Sequence, residues 1–221
     1  TVTNTYDGEG TLTKSETKTV EYSYDAKGNL LSERTVRGDD DKTTAYTYNN
    51  KGLMLSETAD NITTEYTYNN FGYIVGIKTV DNGTETNVSV SYNLIGQVLT
   101  QTEDGLTTEN IYDLSGRVIK ETQSDGTVTR VTRTVYNNNN QLLQKIGDQQ
   151  YNEDDDDLIP DFNGISSDNV YNNNNVGERY TYDAKGNVST YTNIADNKTE
   201  NTYDSENRLV KTVTYENAST T

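Results

Sequence analysis

Nine times along the chain a Tyr is followed at once by Asp or Asn, four positions later by Gly or Asn, and six positions later by an aliphatic residue. The tyrosines are Tyr6, Tyr24, Tyr48, Tyr68, Tyr92, Tyr112, Tyr136, Tyr182 and Tyr203. Their partners six residues on are Leu12, Leu30, Met54, Ile74, Val98, Val118, Leu142, Val188 and Leu209. A short polar side chain directly after each Tyr can fold back onto backbone N–H groups and open a turn. Three residues further on stand Gly10, Gly28, Gly52, Gly72, Gly96, Gly116, Asn140, Gly186 and Asn207, and Gly and Asn are the residues that best tolerate positive φ. Asx followed by Gly three positions later specifies a type I turn closing into a bulged hairpin, so each motif reads as a hairpin tip.

The flanks are rich in Thr, Val and Tyr, and a second Tyr often sits two residues upstream, as in Tyr22 with Tyr24, Tyr46 with Tyr48, Tyr66 with Tyr68 and Tyr180 with Tyr182. That spacing puts both rings on one face of a strand. Turn chemistry recurs between motifs at Asp81-Asn82-Gly83, Asp104-Gly105 and Asp125-Gly126, and less ideally at Asp60-Asn61 and Asp196-Asn197. Asp39, Asp40 and Asp41 fall where another such loop is expected. The sequence therefore predicts an all-β chain, an antiparallel meander of repeated β-hairpins forming one long curved sheet over residues 1–221, with an irregular acidic insertion at about 147–179. Successive tyrosines are 18, 24, 20, 24, 20, 24, 46 and 21 residues apart. Even intervals keep each side chain on its own face. The odd last interval predicts a bulge or altered turn near Asp196 to Lys198.

Only 30% of the residues are hydrophobic and the net charge is −17, a balance often met in disordered chains. The repeat argues otherwise, because the 18 Tyr supply large, rigid surface and each unit can bury a face against its neighbours. The expected core is a layer of tyrosine and aliphatic side chains. The acidity repels phosphate backbones, and Lys and Arg form no basic stripe, which argues against a nucleic-acid partner. No apolar run is long enough to predict a membrane span. Without Cys there is no disulfide or thiolate chemistry, and without His there is no His-based catalysis or His-ligated metal. No carboxylate pair stands out for glycoside hydrolysis, so no enzyme activity and no cofactor are expected.

Three copies, YDAKGNL (Tyr24 to Leu30), YDLSGRV (Tyr112 to Val118) and YDAKGNV (Tyr182 to Val188), give the chain a resemblance to the YD-repeat or RHS (rearrangement hotspot) family. The resemblance covers nearly the whole chain. It implies a spiralling β-sheet of the kind that encloses toxin domains in bacterial polymorphic toxins and toxin complexes, or that builds the extracellular scaffolds of teneurins. Family members that process themselves carry Asp-Pro motifs after the shell. Here the one Pro is Pro160 and no Asp-Pro pair exists, so neither the self-cleaving core nor the toxin is expected within this stretch. With about nine units, a curved open sheet or partial shell is expected in place of a sealed container. The start inside a repeat, without Met, predicts a piece of a larger protein. By resemblance its location is extracellular or at the bacterial cell surface, and its partners are the remainder of its own longer chain or an enclosed cargo domain.

Where the pattern lapses, between Gly147 and Arg179, Glu153, Asp154, Asp155, Asp156 and Asp157 form an acidic run followed by Leu158, Ile159, Pro160, Asp161 and Phe162. Clustered carboxylates suit calcium, but the spacing does not match an EF-hand loop, and a solvated loop is the plainer reading. The apolar segment after the run predicts a plug over an edge or mouth of the sheet. Tyr171, followed by four Asn, reads as a decayed turn. The tyrosine rows admit sugar stacking, although regular inter-strand packing accounts for them. Sequons at Asn61, Asn82, Asn87, Asn187, Asn197 and Asn217 follow from the richness in Asn and Thr. Two functions remain open at this level: a non-catalytic scaffold or partial shell, or a surface adhesin that binds a glycan or protein through the Tyr face or the insertion. Edges near Tyr6 and Thr214 predict self-association unless other sequence caps them.

Overall fold

Positive-φ residues recur after every motif, and they close the chain into hairpins. The computed structural model describes residues 2–167 and 169–217 as eighteen strands and a single 3-10 turn, Glu153–Asp155. The fold is an all-β antiparallel meander. It divides into two compact units, Thr1–Val90 and Ser91–Thr221.

The first unit holds β1 (Val2–Tyr6), β2 (Leu12–Tyr24), β3 (Leu30–Arg37), β4 (Asp40–Tyr48), β5 (Met54–Ala59), β6 (Ile62–Tyr68), β7 (Ile74–Asp81) and most of β8 (Thr84–Tyr92). Each strand pairs antiparallel with the next. The second unit continues with β9 (Val98–Glu103), β10 (Leu106–Asp113), β11 (Val118–Ser124), β12 (Thr129–Tyr136) and β13 (Leu142–Ile146). After the insertion, which contributes the two-residue β14 (Ile165–Ser166), it resumes with β15 (Glu178–Tyr182), β16 (Val188–Thr192), β17 (Lys198–Tyr203) and β18 (Leu209–Tyr215). The insertion does not break the ladder. β13 pairs directly with β15, with Gln144 opposite Arg179 and Lys145 opposite Glu178.

The motif behaves as its residue types dictate. Tyr24 pairs with Leu30, Tyr48 with Met54, Tyr68 with Ile74, Tyr112 with Val118 and Tyr182 with Val188, and a one-residue bulge follows each pair. Tyr6 pairs likewise with Leu12 through the backbone, and the Leu12 side chain lies outside the described residues. In the Asp25 turn, Oδ1 accepts from the N–H groups of Lys27 at 2.8 Å and Asn29 at 2.9 Å, and Gly28 closes the turn at φ 89°. Where Asn replaces Gly, at Asn140 and Asn207, φ is 67° and 70°. At the opposite hairpin ends, Asp60-Asn61, Asn82-Gly83 and Asp104-Gly105 all have positive φ at both residues, the type I′ geometry that matches strand twist. The expected loop at Asp39 to Asp41 is shorter than the sequence suggested. Gly38 (φ 60°) and Asp39 make the turn, while Asp40 and Asp41 already belong to β4, where Asp41 accepts from Arg34. The odd last interval is absorbed as predicted: residues Asn193 to Asn197 form a five-residue Asx turn with Asp196 at φ 62°, in place of a two-residue loop.

Several hairpins are tied to their predecessors, in two ways. The Tyr68 hydroxyl donates to the Met54 carbonyl at 2.6 Å, Tyr112 to Val98 at 2.6 Å and Tyr203 to Val188 at 3.1 Å, so one unit's Tyr caps the aliphatic position of the unit before it. Tyr182 does the same to Leu142 at 2.8 Å, reaching across the sequence gap left by the insertion. Turns are also stitched side by side, through Lys27 to the Asn50 carbonyl, Gln97 to the Gly116 carbonyl and Lys185 to the Ser205 carbonyl. A single sheet buries little, and most of its tyrosines are half-buried. Among the described residues, the buried apolar ones, Tyr112, Ile119, Val135, Ile146 and Tyr171, all lie in the second unit.

Candidate functional site at the insertion

In seven of the nine motifs the residue before the Tyr is a hydroxyl amino acid on the face away from the ring, and in four of them it meets a partner hydroxyl across the ladder. Ser23 meets Ser32 at 2.7 Å, Thr47 meets Ser56 at 2.7 Å, Ser91 meets Thr100 at 2.6 Å and Thr181 meets Thr190 at 2.7 Å. The row is interrupted at Ile111 and Val135, whose cross-strand partners are Lys120 and Gln144. There the insertion lies on the sheet. Val135, Ile146 and Tyr171 form a buried cluster, with Leu143, Tyr151 and Val176 packed around it.

At the centre of the contact is a buried charge pair. Arg133 on β12 is fully buried, and its Nε donates to Asp156 Oδ1 at 3.0 Å. Its other nitrogens donate to the carbonyls of Ile119, Thr134 and Val170 and to Asn169 Oδ1. The second oxygen of Asp156 accepts from the Tyr151 hydroxyl at 2.8 Å and lies 3.3 Å from Lys120 Nζ, which itself donates to Tyr151 at 2.6 Å. Burial works against the charged form of Asp156, but the hydrogen bonds from Arg133 and Tyr151 and the two positive charges outweigh it. The carboxyl is held below its ordinary pKa. Burial and the adjacent carboxylate push the Tyr151 phenol well above its usual range. Such a cluster is strong as a lock, because removing either charge strands the other in a dry site.

The four aspartates raised as calcium candidates part company. Asp156 turns inward to Arg133, Asp157 accepts from Asn172 at 2.8 Å, and Asp155 accepts at 3.4 Å from Asn152, which caps the 3-10 turn through the Asp154 N–H. Among the described residues, no group of three or more acidic side chains could hold a metal ion. The turn expected after Tyr171 is present at residues 174–175, where Asn173 Oδ1 accepts from the Asn175 N–H, but Tyr171 itself is also engaged. It forms a bridge with Asp156, and its hydroxyl accepts from the Asn152 N–H at 2.8 Å and donates to the Asn152 carbonyl at 3.2 Å. Nor does the 158–162 segment act as a plug, since Ile159 and Phe162 point to solvent at 84% and 85% exposure. Its neighbours do the anchoring. Asp161, Phe162, Asn163 and Gly164 repeat the motif's turn without its Tyr: Asp161 Oδ1 accepts from the N–H groups of Asn163 and Ile165, and Gly164 takes φ 67°. The following β14 runs parallel to Tyr112 and Asp113 of β10. Gly164 is closely packed, because an added Cβ would lie 2.5 Å from Leu99 Cδ2 and that side chain would have to shift.

Sequence reasoning missed Arg133, Lys120 and Tyr151. The available signal was the loss of Ser or Thr at Ile111 and Val135, together with an Arg three residues before Tyr136 where most other units carry Thr, Ser, Ala or Glu. A cleft of about 600 Å³ opens between the insertion and β15–β16, lined by Asn169, Tyr171, Asn174, Arg179 and Thr190 among others. Most of its polar groups are engaged within the protein: Asn169 with Arg133, Arg179 with the Asn175 carbonyl and Asp196, Gln144 with the carbonyls of Asn173 and Val176. Among the described residues, no buried side-chain nitrogen or oxygen lacks a partner.

Fold and site together define a repeat protein of paired hairpins, several of them tied to their neighbours by side chains, with a buried charge pair locking an insertion onto one face. No family model matches the sequence, and no curated protein matches it. Among solved structures, the Photorhabdus luminescens Tc holotoxin pore carrying a TccC3 mutation is similar at a TM-score of 0.51 and 16% identity, over 99% of this chain and 13% of that one. TcdB2-TccC3 without its hypervariable C-terminal region is similar at a TM-score of 0.51 and 16% identity, over 99% of this chain and 14% of that one. The likeness is one of fold, and it agrees with the YD-repeat resemblance at that level. The chain spans about one seventh of these structures, 13% and 14% of their lengths.

Proposed function

We propose that the chain is a structural stretch of a YD-repeat protein, a scaffold or partial shell of a larger bacterial secreted or cell-surface protein, without chemistry of its own. The observation that carries this reading is the hydroxyl tie from a unit's Tyr to the preceding unit's carbonyl, made by Tyr68, Tyr112, Tyr182 and Tyr203 and kept even across the insertion from Tyr182 to Leu142. It commits the most regular side chain of the repeat to architecture. The fold's likeness to much longer toxin-complex chains supports placement within a longer polypeptide, whose remaining repeats or enclosed cargo would be its partners. The test replaces Tyr180 and Tyr182 by Ala and measures thermal melting together with retention on immobilised glycans. A scaffold loses melting temperature in proportion to the packing removed and shows no glycan retention before or after. Retention that disappears while melting stays unchanged would favour the adhesin and overturn this reading.

A further inference from the structure

Many hairpin tips in this chain are polar, for example Asn138-Asn139 and Ser205-Glu206, and Phe71 and Ile194 stand exposed singly at theirs, but two neighbouring tips in the second unit are apolar together. Leu94 and Ile95 cap the Asn93 turn, and Leu114 caps the Asp113 turn. Gln97 Nε2 donates to the Gly116 carbonyl at 3.1 Å, which holds these two tips side by side. The insertion brings Ile159, Pro160 and Phe162 to the same place. Leu114, Ile159 and Pro160 line one shallow depression, and Asn93 Nδ2 donates at 3.3 Å to the carbonyl of Asn163, the residue after Phe162. Leu94, Ile95, Leu114, Ile159 and Phe162 are each between 68% and 85% exposed. Single exposed apolar residues are ordinary, but a contiguous group of this kind marks an interaction surface.

We propose that this ridge is a docking surface for a polypeptide segment that carries apolar side chains flanked by Lys or Arg. The occupant follows from charge. Glu153, Asp154 and Asp157 are exposed within a few residues of Ile159, Asp161 sits between Pro160 and Phe162, and the chain as a whole carries −17. An acidic margin around an apolar centre favours a basic, apolar partner and repels an acidic one. The surface is also pre-organised. The Asp161 turn, the pairing of β14 with β10 and the Arg133–Asp156 pair hold the backbone on both sides of Ile159 and Phe162, which lowers the ordering cost of association.

The probe is a short fluorescent peptide alternating Lys and Leu, titrated into the intact 221-residue chain and followed by anisotropy. The peptide binds. Replacing both Ile159 and Phe162 by Ser weakens it at least about tenfold, while the melting temperature stays put because neither side chain is packed. Glu153→Gln with Asp154→Asn weakens binding further and flattens its dependence on salt. Equal binding by the Ile159→Ser, Phe162→Ser variant would overturn the proposal, as would equal binding of a peptide with Glu in place of Lys. A dimer seen by sedimentation and dissolved by the same two substitutions would assign the ridge to a second copy and sink the proposed partner. Equally, Phe162-dependent binding to phosphatidylcholine vesicles would assign it to a lipid surface.

Discussion

The phenol oxygen of the repeat Tyr separates two roles that the sequence merges in one letter. The ring packs on its own strand's neighbours, and the hydroxyl ties that strand to the hairpin before it. Tyr182→Phe keeps the ring and loses the 2.8 Å bond to the Leu142 carbonyl, so urea denaturation should show a loss of about 1 kcal/mol. Tyr182→Ala also removes half-buried ring contacts and should cost roughly 3 kcal/mol. At the turn, Gly116 sits at φ 81°, and an added Cβ would lie 3.0 Å from the flexible end of Gln97. Gln97 can move aside, so backbone strain decides the outcome. Gly116→Ala should cost about 1–2 kcal/mol, and Gly116→Asn clearly less, since Asn140 and Asn207 already occupy the equivalent place at φ 67° and 70°. Equal costs for Ala and Asn would show that side-chain crowding governs the position. The sites of these residues were legible in the sequence because a turn is a local event. The target of the hydroxyl was not, because it depends on a carbonyl fourteen residues away for Tyr68 and forty for Tyr182.

At the scale of the element, the insertion shows how little an acidic run says by itself. Residues 153–157 advertised charge, but which carboxylate turns inward is decided by Arg133, twenty-three residues upstream. The missing hydroxyls at Ile111 and Val135, and Arg133 in place of the smaller or acidic residue of most other units, were the hints that this part of the sheet was covered. Asp156→Asn leaves Arg133 buried without a countercharge and should destabilise the second unit by about 3–5 kcal/mol. Because β13 pairs with β15 independently of the insertion, the loss should appear first as faster chymotrypsin cleavage near Phe162. The same pair makes a pH prediction with a definite sign. The carboxyl is held below its ordinary value in the folded chain, so the unfolded chain binds the proton more readily. The pair's contribution is complete above the unfolded pKa of about 3.9 and is lost as pH falls through the lower folded value. Wild type should therefore lose stability more steeply below about pH 4 than Asp156→Asn does. Parallel acid limbs for the two proteins would show that Asp156 is not the group responsible.

Across the whole molecule, the repeat is continuous in space where it is interrupted in sequence. The interval of 46 residues between Tyr136 and Tyr182 leaves the ladder whole, and β13 meets β15 in antiparallel register. The insertion is thus an elaborated hairpin loop, and its removal should leave a hairpin. Replacing residues 147–176 by Asn-Gly shortens the interval to 18 residues, the spacing already used between Tyr6 and Tyr24. The two-residue turn fits the type I′ geometry found at Asn82-Gly83 and Asp104-Gly105. Arg133 has to be changed to Thr in the same variant, since its buried guanidinium would otherwise lose Asp156, Asn169 and the Val170 carbonyl together. Val135 and Ile146 then come into water, so the shortened chain should melt at a lower temperature while keeping a β-sheet circular dichroism spectrum and a single cooperative transition. Loss of that transition would mean that the insertion's packing, and not the ties between hairpins, organises the second unit.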